Sequence, residues 1–266
     1  MLFRSSLSGW QWMFLLEGIP AIALGGVVLG TLAETPHEAK WLSNGERSWL
    51  LETLGRERQV EALVPQSNLW AVLFSGRIWL LSIVYFGVST TMYGVSLWLP
   101  TVIQSLSGLG NLATGLITVL PYLVTVLVMV LIGMGSDRSG ERRWHTAIPA
   151  FTAAAGLTLA AYGNSTAVVV TGLAIGLAFA QGMCGPFWAM ATSSMAGLSA
   201  AASIAMINSL ANLGGYFGPD IIGVFRTAAG GFRGGLLAIA LTVAISGGTA
   251  LIVGRGRAGR VQVPSG

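Results

Sequence analysis

A chain of 266 residues that is 53% hydrophobic and only 9% charged, with a mean hydropathy of +0.72, is not a water-soluble globular domain, in which about a quarter of the residues carry charge. Its net charge is +4 and its pI is near 9.7, but the basic residues, all Arg except Lys40, are spread between apolar runs, so no nucleic-acid partner is expected. The lone Cys184 rules out an intrachain disulfide, and the distant His37 and His145 complete no metal cluster, so neither metal nor cofactor is expected.

What remains is an all-α, polytopic membrane protein with about seven transmembrane helices. In chain order the spans read Trp12 to Leu32, Ile78 to Val102, Leu112 to Met134, His145 to Tyr162, Ala167 to Ala189, Ala200 to Phe225 and Gly234 to Val253. The first could be taken for a signal peptide, since Arg4 precedes it and Thr31-Leu32-Ala33 looks like a cleavage site. Glu17 interrupts its apolar core, and it reads as a span.

Ala33 to Gly76 is the only long polar connection. Thr35-Pro36-His37-Glu38 and Ser43-Asn44-Gly45-Glu46 each have the form of a capping box, so two short helices are expected there. Trp41, Trp49, Leu50 and Leu54 would turn toward the membrane, and Glu52, Arg56 and Glu57 toward water. Orientation follows from the bases. With the Met1 end outside, Lys40, Arg47, Arg56, Arg58, Arg77, Arg138, Arg142, Arg143, Arg255, Arg257 and Arg260 lie inside, against Arg4, Arg226 and Arg233 outside. The chain then divides into residues 1–32 (outer N-terminus and first span), 33–76 (cytoplasmic loop), 77–254 (six helices) and 255–266 (cytoplasmic tail).

Between the third and fourth spans lies the charged stretch Gly133-Met134-Gly135-Ser136-Asp137-Arg138-Ser139-Gly140-Glu141-Arg142-Arg143. Its glycines permit a tight turn, Asp137 could cap a helix N-terminus, and the arginines could hold carboxylates or lipid phosphates. Gly133, Asp137, Arg138, Gly140, Arg142 and Arg143 match the signature loop of the major facilitator superfamily of secondary transporters, which the stretch resembles. Gly135 stands where that family usually has Leu, and Glu141 where it usually has a base.

Further motifs extend the resemblance, in order, over nearly the whole chain. Gly9-Trp10-Gln11-Trp12-Met13-Phe14-Leu15-Leu16-Glu17-Gly18-Ile19-Pro20, then Ala39-Lys40-Trp41-Leu42 and Glu46-Arg47, are similar to the sixth helix and central loop of the anion:cation symporter branch. Tyr93-Gly94-Val95-Ser96-Leu97-Trp98-Leu99-Pro100 resembles its seventh helix, and Asn208-Ser209-Leu210-Ala211-Asn212-Leu213-Gly214-Gly215 with Gly218-Pro219 its eleventh. The resemblance implies a partial major-facilitator-type fold, helices six to twelve, in an N-terminally truncated chain. It also implies proton-coupled transport of a small organic anion, such as a sugar acid, tartrate or an aromatic carboxylate, across the inner membrane. The expected partners are that anion, protons, the lipid bilayer and a missing N-terminal half.

Polar groups inside spans are costly and carry the site reading. Asn208 and Asn212, four apart, share one face of the sixth span, where amides can bind a carboxylate or join a neighbouring helix; the resemblance favours substrate for Asn208. Trp188 follows Pro186, which can bend its helix, and is either an interfacial tryptophan or, as the resemblance implies, cavity-lining. Tyr93 and Gln181 each add a hydrogen-bonding group. Glu17 and Asp220 are candidate proton sites, since desolvation raises a carboxyl pKa; the alternatives are a structural Glu17 and an Asp220 that reaches the outer interface or caps a turn after Pro219. Gly172 with Gly176, and Ala201 with Ala205, have the spacing of close helix packing. Against the transporter stand a non-transporting seven-helix fragment or interaction protein that needs a separate N-terminal half, and a seven-helix sensor; no enzyme is expected.

Overall fold

The structure is a computed structural model that describes residues 8–39, 41–63, 69–193, 195 and 197–254. Arg4, Lys40 and the tail with Arg255, Arg257 and Arg260 lie outside the described residues. All regular structure among the described residues is helical. The chain forms two compact units, residues 1–64 and 65–266.

In the first unit, α1 (Gly9–Thr31) is a single apolar helix with no buried residue, opened by Gln11, whose side-chain carbonyl accepts from Ser8 N–H. Glu17 sits on it, exposed. The second helix, α2 (Asn44–Leu63), starts where the capping box at Ser43 predicts: Glu46 N–H donates to Ser43 Oγ at 3.3 Å, and the Glu46 carboxylate accepts from Ser43 N–H at 3.0 Å and from its hydroxyl at 2.7 Å. The other expected box does not open a helix. Residues 35–38 form only a turn, closed by Glu38 N–H to Thr35 C=O, because the chain is recaptured at Ser43 before a second helical turn can form. On α2, Glu52 and Arg56 pair in water, Leu50 and Leu54 are half-buried, and Trp49 stays exposed.

The second unit is built around α4 (Gly76–Ser107), which follows the short α3 (Leu69–Leu73). Its buried face, with Leu81, Val84, Val88, Val95, Leu99 and Ile103, packs most extensively against four of the helices that follow. These are α7 (Thr166–Gly182), α9 (Gly197–Asn212), α10 (Gly214–Ala229) and α11 (Arg233–Val253). The remaining members are α5 (Asn111–Ser139), α6 (Arg143–Tyr162), which lies between α7 and α11, and α8 (Cys184–Thr192). Small residues set the spacing. A side chain at Gly172 would come within 2.6 Å of the Ala160 nitrogen and the Gly156 oxygen, so α6 and α7 touch backbone to backbone there, as their spacing predicts. Ala201 and Ala205 do the opposite. Both are exposed, because α9 turns Ser203, Ile207 and Ala211 inward.

Each expected span is helical, with two differences. The fifth breaks at Met183, which places Pro186 in the first turn of α8, where a missing N–H costs little. The sixth breaks at Leu213 and then runs on past Pro219 to Ala229. Asp220 is therefore an exposed mid-helix residue with nothing to cap. Among the described residues, five helical stretches are long and apolar enough to cross a membrane: α1, α4, α5, the α7–α8 pair and α11. The other two expected spans, α6 and α9–α10, are less apolar. α6 holds its place through Ala147, Ala150, Ala153 and Leu157, all fully buried against neighbours. Outward faces are apolar: Leu112, Leu116, Leu120, Leu123, Leu127 and Leu131 of α5 are all exposed. Water would not tolerate such a surface, and a bilayer would. The protein is a multi-pass membrane protein.

Candidate functional site

The described arginines of the second unit divide between its two ends. Arg77, Arg138, Arg142 and Arg143 lie at helix ends around the α5–α6 turn, and Arg226 and Arg233 at the opposite end. α6, which runs from one end to the other in 20 residues, spans about 30 Å, the thickness of a bilayer core.

At the first end, α5 stops at Gly140, whose φ of 66° is the left-handed conformation that glycine adopts without strain. Arg142 reaches back to hold the Asp137 carboxylate and donates to Ser136 Oγ at 2.9 Å, while the Ser136 hydroxyl donates to the Glu141 carbonyl. The cap of α6 is not Asp137. It is Glu141, whose carboxylate accepts from Trp144 N–H at 3.0 Å, at a helix start where negative charge is favoured. Gly135 leaves room for the ring of His145: a Cβ there would lie 3.3 Å from Nε2. Arg143 lays its stem over Gly254 at the end of α11 and its guanidinium 5.4 Å above the Trp144 ring. Arg138 is exposed, and around Gly133 there is open space, so neither is held in the turn by a side-chain hydrogen bond or ion pair among the described residues.

The candidate binding residues fall into two groups joined by α4. In one, Tyr85 stacks on Phe187 with centroids 5.2 Å apart and meets the edge of Trp188 at 5.1 Å, while Cys184 approaches Gln181 Oε1 at 3.7 Å. In the other, the Tyr93 ring lies against Gly215, three residues past Asn212. Tyr85 and Tyr93 are eight residues apart, about 12 Å along the helix. Asn208 donates from Nδ2 to its own helix at Ile204 C=O, 3.0 Å away, and makes no bond to a neighbouring helix among the described residues. Asn212 is exposed and has no hydrogen-bond partner among the described residues, which makes it the more available amide of the pair. Tyr85 is the residue that the sequence did not single out. An aromatic eight residues before Tyr93 was the available signal, but within an apolar run it looks like any packing residue.

No ion pair lies inside the spans among the described residues: the two present, Arg56–Glu52 and Arg142–Asp137, are both at helix ends or in the polar connection. Among those residues no cluster of His, Cys, Asp and Glu could hold a metal ion either.

Residues 2–219 match the Major Facilitator Superfamily. The chain is 41% identical, over 94% of its length, to a protein of Agrobacterium vitis named "Putative tartrate transporter", of which it covers 55%. It is 30% identical to the quinolone resistance transporter of Acinetobacter baumannii, over 90% of this chain and 55% of that one. With the inner membrane transport protein RhmT of Escherichia coli K12 it shares 30% identity, over 89% of this chain and 54% of that protein. It thus spans a little over half the length of these relatives. The match over most of the chain, together with the helical bundle and its charged turn, makes the chain a member of the major facilitator superfamily, a family of membrane transporters rather than enzymes.

Proposed function

We propose that this chain carries the substrate-binding face of a secondary transporter for a small organic anion, of the tartrate or aromatic carboxylate kind. The observation that supports this most directly is the open Asn212 amide, one turn along α9 from Asn208 and three residues before Gly215, against which the Tyr93 ring lies. Amide N–H groups can hold a carboxylate, and the Tyr85–Trp188 aromatic group offers a flat apolar wall for the rest of the molecule. The similarity to a protein named for tartrate transport agrees with that chemistry. Gln181, whose side-chain oxygen faces Cys184, is proposed as a further hydrogen-bonding group. Proton coupling is part of the proposal, with Glu17 and Asp220 as the candidate carriers, and so is an inner-membrane location with residue 1 outside and the C-terminal tail in the cytoplasm. Alternating access would need the further half that the relatives' greater length represents, in the same polypeptide or supplied separately.

The second reading is a non-transporting seven-helix fragment or interaction protein that needs a separate N-terminal half. Uptake of radiolabelled tartrate and benzoate into proteoliposomes, under an imposed inward proton gradient, tests both. The expected result is gradient-stimulated uptake by the chain completed to the length of its relatives, lowered about tenfold or more by Asn212→Ala, the loss of one charge-assisted contact, or by Trp188→Ala, the loss of the apolar wall. Unchanged kinetics in both variants would sink the site, and indifference to the gradient would sink the coupling. No uptake by the completed chain would leave the partner reading.

A further inference from the structure

At the end opposite the Asp137–Arg142 turn, a cleft of about 390 Å³ opens between the last turns of α4, α6 and α10 and the first turns of α7 and α11. Its walls include Val102, Leu106, Val169 and Leu236, and its rim carries Arg226 and Arg233. Both guanidiniums are held by aromatic faces. Arg226 lies 5.1 Å from the rings of Trp98 and Phe232, and Trp98 is itself fixed by donating Nε1–H to Pro219 C=O at 2.9 Å. Arg233 lies 4.0 Å above the Tyr162 ring.

Neither arginine has a carboxylate partner among the described residues. Arg226, in the last turn of α10, complements the dipole of that helix. Arg233 does the reverse. It is the first residue of α11, where the dipole already favours an anion, no acidic residue sits in the first turn, and Phe232 at the N-cap has no side-chain oxygen to accept the free N–H groups. The cleft therefore combines two oriented, unneutralised guanidiniums, an uncapped helix start and apolar walls.

We infer that this cleft binds an oxyanion carried on an apolar body: the phosphate of an anionic phospholipid, or the carboxylate of a soluble organic acid. The guanidiniums take the charged group and the valine and leucine walls take the remainder. The site lies at the end of the bundle away from the charged α5–α6 turn and uses none of Tyr93, Trp188, Asn208 or Asn212, so it stands whether or not the proposed transport site does.

The test is native mass spectrometry of the full chain released from detergent, titrated with phosphatidylglycerol or phosphatidylcholine. A parallel arm measures the rise in melting temperature with benzoate or inorganic phosphate in lipid-free micelles. The expected result is preferential retention of phosphatidylglycerol, or a saturable response to the soluble anions. Either should fall about tenfold in Arg226→Gln/Arg233→Gln and survive in Arg226→Lys/Arg233→Lys and in Arg77→Gln at the other end. Selective phosphatidylglycerol retention identifies a lipid site, and a response only to soluble anions identifies a vestibule for free acid. If the double glutamine variant does not fold, Arg233→Gln, whose side chain only stacks on Tyr162, carries the same comparison. Absence of anion preference in both arms, or equal binding by wild type and glutamine variants, would overturn the inference.

Discussion

Ser246 on α11 donates its hydroxyl to the carbonyl of Ile83 on α4, 3.1 Å away, through the opening left at Gly87, where a Cβ would overlap the Ser246 oxygen. The bond joins two helices whose sequence positions differ by 163 residues. It exists because one helix lacks a side chain and the other has a short polar one. Ser246→Ala should lower stability by about 0.6 kcal/mol, typical of an interhelical hydrogen bond in a membrane. Gly87→Val should cost about 1–3 kcal/mol by overpacking and should also remove that bond. Reversible unfolding in mixed micelles measures both, and a Gly87→Val protein as stable as wild type would mean that α4 and α11 do not approach this closely.

The α6–α7 contact gives a sharper contrast. Gly172→Ala puts a carbon within 2.6 Å of the Ala160 nitrogen and the Gly156 oxygen, and backbone cannot step aside as a side chain can. The helices must separate, at a cost of about 1–3 kcal/mol. Ala205→Leu, on the exposed face of α9, should change the stability of this chain by no more than about 0.5 kcal/mol. The same unfolding assay compares the two, and equal costs would contradict the packing.

Those two positions also mark how far the sequence can be read. Gly172-x-x-x-Gly176 and Ala201-x-x-x-Ala205 have the same spacing, and only the first is buried. Periodicity identifies a surface that permits close approach, but whether a second helix arrives depends on packing far away in sequence. Helices were readable because apolar length and capping residues act locally, as at Ser43 and Glu46. The turn at Gly140 is readable too, but Asp137, which could cap a helix, pairs with Arg142, and the side chain that meets the start of α6 is Glu141, the departure from the family pattern. Tyr85 stayed hidden because its role depends on Phe187 and Trp188 coming from another helix.

Glu46 provides a pH dependence. The Ser43 hydroxyl, then the Ser43 backbone N–H, stabilise its ionised form and hold its carboxyl below the usual value of 4.5. With the folded pKa depressed, the contribution to α2 is complete above the unfolded value and is lost as pH falls through the folded one. Protection of the first-turn amides of α2 in hydrogen exchange, corrected for intrinsic rates, should therefore hold from pH 7 to about 5 and decline below 4.5. In Glu46→Gln the amide keeps an acceptor for Ser43 and the protection should no longer vary with pH; a variant that still titrated would assign the effect to another group.

At the α5–α6 turn, Arg142 bonds both the exposed Asp137 carboxylate and the buried Ser136 hydroxyl, and the two bonds differ in weight. Asp137→Asn removes a largely solvated charge and should cost less than about 1 kcal/mol, a contribution that salt screens further. Arg142→Ala also withdraws the donor to buried Ser136, which should raise the cost to about 1–3 kcal/mol with little salt dependence. Glu141→Ala leaves that network but uncaps α6, a loss of about 1 kcal/mol that Glu141→Asp or Glu141→Gln should partly restore. Melting temperatures of these five variants at low and high salt separate these contributions. If Asp137→Asn proved as costly as Arg142→Ala, and equally screened, the ion pair and not the Ser136 contact would hold the turn.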